Sequence, residues 1–212
     1  MPFLLDTSII GKLIKYRLLD DALDVFKVPR SEIFILRETL YQLKDNKGKQ
    51  GVALYTESEL AAGLSFCDGL GIIKNIDRSV NNEEFNALTR RSELRHEGVT
   101  VRIDNGEALI FAHTQFLEDF LIWTADRKSL IALFMQVGCE KIHARIRGRV
   151  VCLEKIIRSL VEKKGFDFVL PRISRGHHSV DRAMQCGKDG CIASLRAAEE
   201  KLQADCNGLL IP

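Results

Sequence analysis

The chain predicts an α/β protein, with a central parallel sheet covered on both faces by helices. Two observations carry this. Over about 150 residues, short apolar runs alternate with amphipathic stretches at helical spacing, the pattern of repeated βαβ units. Two of those runs, Phe3-Leu4-Leu5 and Phe120-Leu121-Ile122-Trp123-Thr124-Ala125, end in a carboxylate with a helix following, at Asp6 and Asp126. Such residues sit at the carboxyl edge of a parallel sheet, where open α/β folds hold their ligands.

Taken in order, the first strand gives way at Asp6 to residues 9–26. There Ile10, Leu13, Ile14, Leu18, Leu19, Leu23 and Phe26 recur at helical spacing and predict one helix, ended by Pro29. Ile33-Phe34-Ile35-Leu36 is the next strand, and residues 37–45 form a helix stopped by Asn46-Lys47-Gly48. Residues 52–66 predict an amphipathic helix closed by Asp68-Gly69, and residues 71–76 a strand. Residues 81–97 carry Glu83, Glu84, Arg90, Arg91, Glu93 and Arg95, which predicts a polar, solvent-facing helix. Asp104-Asn105-Gly106-Glu107 opens an apolar helix to about residue 118. The strand ending at Asp126 is followed by a helix over 128–137, a strand within 139–152 and a helix over 153–164. Past Gly165 periodicity fades until a short polar helix over 191–204. We therefore divide the chain into a domain over 1–152 and a C-terminal helical and irregular extension over 153–212.

The composition excludes several classes. A length of 212 residues supports a sizeable core, and 46% hydrophobic with 28% charged residues is ordinary for a globular protein. A formal charge of +2 gives no whole-chain basic field. Basic residues do alternate at Lys141, His143, Arg145, Arg147 and Arg149, and cluster at Arg172, Arg175, His177 and His178. A solvated edge strand or loop accounts for either group. Asp6 interrupts the first apolar run, so no signal peptide is expected, and no run reaches membrane-spanning length. A cytoplasmic protein with six reduced cysteines is the expectation. His177, His178, Cys186, Cys191 and Cys206 are zinc-ligand types, but their spacing fits no common finger.

Asp6 and Asp126 share one context: an apolar strand, nearby hydroxyls (Thr7 and Ser8; Thr124), then a helix. Asp6 could simply cap its helix. Glu107 opens a helix and could lean into the same crevice, although Asp104-x-x-Glu107 also fits a capping box. Carboxylates gathered at one place repel unless a cation neutralises them, and hard divalent ions prefer oxygen ligands. A metal so held activates water against a phosphodiester. No Gly-rich phosphate loop supports a nucleotide-processing or phosphatase alternative.

Leu5-Asp6-Thr7-Ser8, Asp104-Asn105-Gly106-Glu107-Ala108 and Trp123-Thr124-Ala125-Asp126-Arg127-Lys128 together resemble, in order and spacing, the acidic motifs of PIN-domain ribonucleases over residues 1–150. The resemblance implies a three-layer α/β/α fold, a Mg²⁺ or Mn²⁺ site and endonucleolytic cleavage of RNA, or of DNA. It implies Asp6, Glu107 and Asp126 as metal-binding catalytic residues, supported by Thr7, Ser8 and Thr124. The family's remaining acidic position falls on Gln42. Glu38, one turn earlier on the same helix face, is the residue expected to replace it. Lys12, Arg127 and Lys128 are candidates for the phosphate backbone, and equally ordinary surface charges. Expected partners are RNA, then DNA, an antitoxin or other regulatory protein, and a second copy of the chain. Gln42 favours the alternative, a catalytically degenerate scaffold or protein-binding module.

Overall fold

The computed structural model describes residues 1–46, 53–73, 83–90, 93–173 and 179–212. Strand β1 (Phe3–Leu5) leads into α1 (Thr7–Tyr16) and α2 (Leu19–Phe26), and β2 (Ile33–Leu36) into α3 (Arg37–Asp45) and α4 (Glu57–Cys67). After β3 (Gly71–Ile73) come α5 (Glu83–Leu88), β4 (Leu94–His96), β5 (Val99–Val101) and α6 (Asn105–His113). Strand β6 (Leu121–Thr124) precedes α7 (Arg127–Met135) and α8 (Glu140–Ile146). Strand β7 (Val150–Cys152) precedes α9 (Leu153–Lys164), α10 (Phe166–Val169), α11 (Ser179–Met184) and α12 (Gly187–Asp205).

Five strands form one parallel sheet in the order β3-β2-β1-β6-β7, as the alternation of strands and helices predicts. From β1 the chain builds outward through β2 and β3, then crosses back to add β6 and β7 on the other side. The connections after β1 and β6 therefore diverge, and a crevice opens between them at the carboxyl edge. Successive side chains face opposite layers. Phe3, Leu5, Ile33, Ile35, Trp123 and Val151 join one core with α1, α2 and α9. Leu4, Ile122, Val150 and Cys152 join a second core with α6, α7 and α8. Both faces being covered, the strands read as continuous apolar runs.

Three expectations are corrected. Residues 9–26 form two helices, because Arg17 turns left-handed (φ 54°) and the N–H groups of Arg17 and Leu18 close onto the carbonyls of Ile14 and Leu13. This cap bends the chain while the apolar spacing runs on through it. Among the described residues of 81–97, helix spans only Glu83–Leu88. Leu94–His96 instead pairs antiparallel with Val99–Val101 around Glu97 (φ 48°) and Gly98 (φ 77°). Two consecutive positive φ values make the tight turn that matches strand twist, and Gly98 is the residue that permits it. The alternating basic run lies on α8 and the turn after it, not on an edge strand: Lys141, His143 and Arg145 are helical, Arg147 and Arg149 fall between α8 and β7, and β7 begins only at Val150. Arg145 forks onto Glu84 at 2.9 and 2.6 Å, and Arg149 donates to the carbonyl of Glu118 at 2.9 Å, so both guanidiniums tie neighbouring segments together.

The described part of 153–212 packs into the same two cores. Cys191 and Leu195 enter the first, while Leu202, Cys206 and Leu209 enter the second. Leu210 forms a parallel bridge to Val150 at the sheet edge. All six cysteines are free thiols, and Cys191 and Cys206 are buried as core residues. Arg175, His177 and His178 lie outside the described residues. Among the described residues no helix is long and apolar enough to cross a membrane.

Candidate functional site

A cleft of about 1030 Å³ opens at the carboxyl edge, and Asp6, Glu38, Glu107 and Asp126 all line it. Strand register brings the first and last together. Leu5 lies opposite Trp123, and the Asp6 N–H continues the ladder to the Trp123 carbonyl at 3.0 Å. Asp6 therefore stands beside Thr124, whose hydroxyl donates to Asp6 Oδ2 at 3.0 Å, and the Ser8 hydroxyl donates to the same oxygen. Ser8 Oγ in turn accepts from the Ala125 N–H at 3.1 Å, and Thr124 Oγ1 from the Asp126 N–H at 3.0 Å. Two strand-to-helix junctions more than a hundred residues apart are thereby locked in register.

Asp6 occupies the N-cap position of α1 yet makes no capping hydrogen bond, so its carboxylate is turned to the cleft. Asp126 does cap: its Oδ1 accepts from the N–H groups of Lys128 and Ser129 at 2.8 and 3.1 Å. Glu107 completes a capping box with Asp104, accepting from the Asp104 N–H at 2.8 Å while Asp104 accepts from the Glu107 N–H at 2.9 Å. Capping and facing the cleft are thus joint properties of Asp126 and Glu107. On α3, Glu38 Oε2 is buried and has no hydrogen-bond partner among the described residues. Gln42, the next residue along that face, also lines the cleft. Thr7 and Thr39 share a hydroxyl hydrogen bond of 2.7 Å that ties α1 to α3.

The electrostatics are those of crowded, desolvated acids. Burial pushes the Asp6 carboxyl above its ordinary value; its bonds from Ser8 and Thr124 oppose this, and the charges of Asp104 and Asp126 add to it. Burial pushes Glu107 up to about 10, with Asp126, Asp104 and Asp6 reinforcing the shift. Asp104 is thus a further acid of the cleft, which the sequence suggested only as half of a capping box. Lys15, Leu54 and Tyr55 line the cleft as well and carried no sequence signal; Lys12, Arg127 and Lys128, the candidates for the phosphate backbone, line it too. Arg127 reaches back to the buried Glu154 at 3.8 Å.

Every acidic group here offers oxygen, the donor set that hard divalent cations take. Among the described residues, no three His, Cys, Asp or Glu side chains converge on a single point. Comparison with protein-family models, with curated proteins and with solved structures finds no match for the chain.

Proposed function

We propose that the protein is a metal-dependent endonuclease that hydrolyses phosphodiester bonds, in RNA first and DNA second, on a PIN-like α/β/α fold. The observation that carries this reading is Asp6. It is buried, freed from capping, oriented by two hydroxyls, and set where strand order reverses among carboxylates that repel it. The order and spacing of the three acidic motifs support the same reading.

Two observations support a divalent cation at these residues, an all-oxygen donor set and the unpartnered buried oxygen of Glu38, although among the described residues no three acids are already gathered around one point. Asp6, Glu38, Glu107 and Asp126 would hold Mg²⁺ or Mn²⁺, which supplies charge neutralisation and a bound water of lowered pKa. The chain's own groups do the remaining work. Ser8 and Thr124 fix the Asp6 carboxylate so that little reorganisation is needed during reaction. Lys12, Lys15, Arg127 and Lys128 ring the opening and hold the anionic backbone.

A second reading, a non-catalytic scaffold, has Gln42 in its favour, a neutral amide where the family pattern places an acid, together with the lack of a converged carboxylate triad among the described residues. Cleavage assays separate the two. The purified protein is expected to cut oligoribonucleotides with Mg²⁺ or Mn²⁺ and to stop with chelator, while Asp6→Asn still binds the strand uncut. Cleavage that persists in chelator, or in Asp6→Asn, overturns the carboxylate mechanism. No cleavage of RNA or DNA with metal bound leaves the scaffold.

A further inference from the structure

Tyr55 lies on the α1 side of the cleft and is held from both directions. Asn46, left-handed at the end of α3 (φ 44°), accepts from the Tyr55 N–H at 2.8 Å through Oδ1 and donates to the Tyr55 carbonyl at 2.9 Å through Nδ2. The Leu54 N–H bonds the Asn46 carbonyl at 3.2 Å. Immediately after Tyr55, Thr56 and Glu59 form a capping box that starts α4. The backbone of residue 55 is therefore rigid.

The side chain has a place made for it. Gly11 sits mid-way along α1, where glycine costs about 1 kcal/mol of helix stability relative to alanine. A Cβ there would collide with the Tyr55 hydroxyl oxygen. The missing side chain is what lets the phenol come down onto the helix. Among the described residues that hydroxyl has no hydrogen-bond partner, though it lines the cleft with Gly11, Lys12 and Lys15. Burial raises the phenol's pKa further, so it remains a proton donor at neutral pH.

We propose that the Tyr55 hydroxyl, seated over Gly11 in the part of the cleft that Lys12 and Lys15 also line, is a phosphate-binding subsite that holds the nucleic-acid strand beside the scissile bond. The inference rests on the nuclease reading of the cleft and names where its substrate is gripped. Gly11 lies five residues beyond Asp6, about 7.5 Å further along the helix axis. That is close to one phosphate step along an extended strand. A neutral hydroxyl donor in a stretch of cleft that Lys12 and Lys15 also line suits a phosphate oxygen, while Glu59 is the carboxylate whose charge reaches the phenol.

The test uses the full chain and a fluorescein-labelled oligoribonucleotide, with binding read by anisotropy in chelator and cleavage read separately in Mn²⁺. Tyr55→Phe removes only the hydroxyl, and is expected to weaken binding about tenfold or more. In the cleavage assay it should raise KM more than it lowers kcat. Gly11→Ala displaces the hydroxyl from outside and should weaken binding similarly, with the double variant no weaker than either single one. Thermal melts close to wild type show that the losses are not unfolding, and if Gly11→Ala does not fold, Tyr55→Phe decides alone. Affinity equal to wild type in Tyr55→Phe, or additive losses in the double variant, overturns the subsite. Wild-type protein that binds through Tyr55 but never cleaves refutes the nuclease reading and keeps the subsite. Wild-type protein that binds no oligonucleotide refutes both.

Discussion

The Thr124 hydroxyl donates to Asp6 Oδ2 at 3.0 Å across 118 positions of sequence, while its oxygen accepts from the Asp126 N–H. One buried side chain thus sets the distance between the two acidic junctions of the cleft. Thr124→Val, similar in shape, removes both functions. We expect about 1–3 kcal/mol of lost stability, since a buried carboxylate forfeits one of its two hydroxyl donors. Metal affinity should fall about 10- to 100-fold, as for other groups that orient a ligand. Denaturant unfolding and calorimetric Mn²⁺ titration measure the two separately, and a loss of stability alone would make Thr124 a packing residue only.

Asp6→Asn should act in opposite directions on stability and on metal response. Burial, with repulsion from Asp104 and Asp126, raises the Asp6 carboxyl above its ordinary value, so its charged form is disfavoured in the folded chain. In chelator the variant should therefore melt higher than wild type. In Mn²⁺ the order should reverse, because the variant gains nothing from the cation.

Glu107 gives a pH signature. Its ordinary value is 4.5 and in the folded chain it rises to about 10, so between those values the folded state holds a proton that the unfolded state has released. Stability from this group is full below about pH 4.5 and declines as pH rises toward 10. Melts in chelator should fall across that window. Glu107→Gln, which keeps a side chain able to complete the capping box, should flatten the decline and abolish Mn²⁺ binding. A retained slope in the variant would assign the pH dependence to other groups.

Glu38 and Gln42 sit one helical turn apart on α3, and only the first offers a charge. Glu38→Gln should lower Mn²⁺ affinity by about tenfold or more. Gln42→Glu should raise it and, on the nuclease reading, raise the cleavage rate as well. If Glu38→Gln leaves the titration unchanged, the unpartnered oxygen of Glu38 is not a ligand.

The sequence alone determined the parallel α/β plan and the positions of Asp6 and Asp126 at strand ends. Both follow from local patterns: continuous apolar runs for strands buried on two faces, and a polar residue where each run ends. It left the bend at Arg17 and the hairpin at Glu97-Gly98 hidden, because each turn depends on one or two left-handed residues inside stretches whose side-chain periodicity suits a helix. Tertiary structure alone decided the rest. Whether Asp6 caps its helix or faces the cleft was settled by the hydroxyls of Ser8 and Thr124, the latter contributed by β6. Asp104 counts among the acids of the cleft, and Tyr55 lies over Gly11, only because the sheet order folds β6 against β1 and α4 against α1. Charge repulsion and steric fit act through space, and a linear sequence carries no record of which distant residues will come within their range.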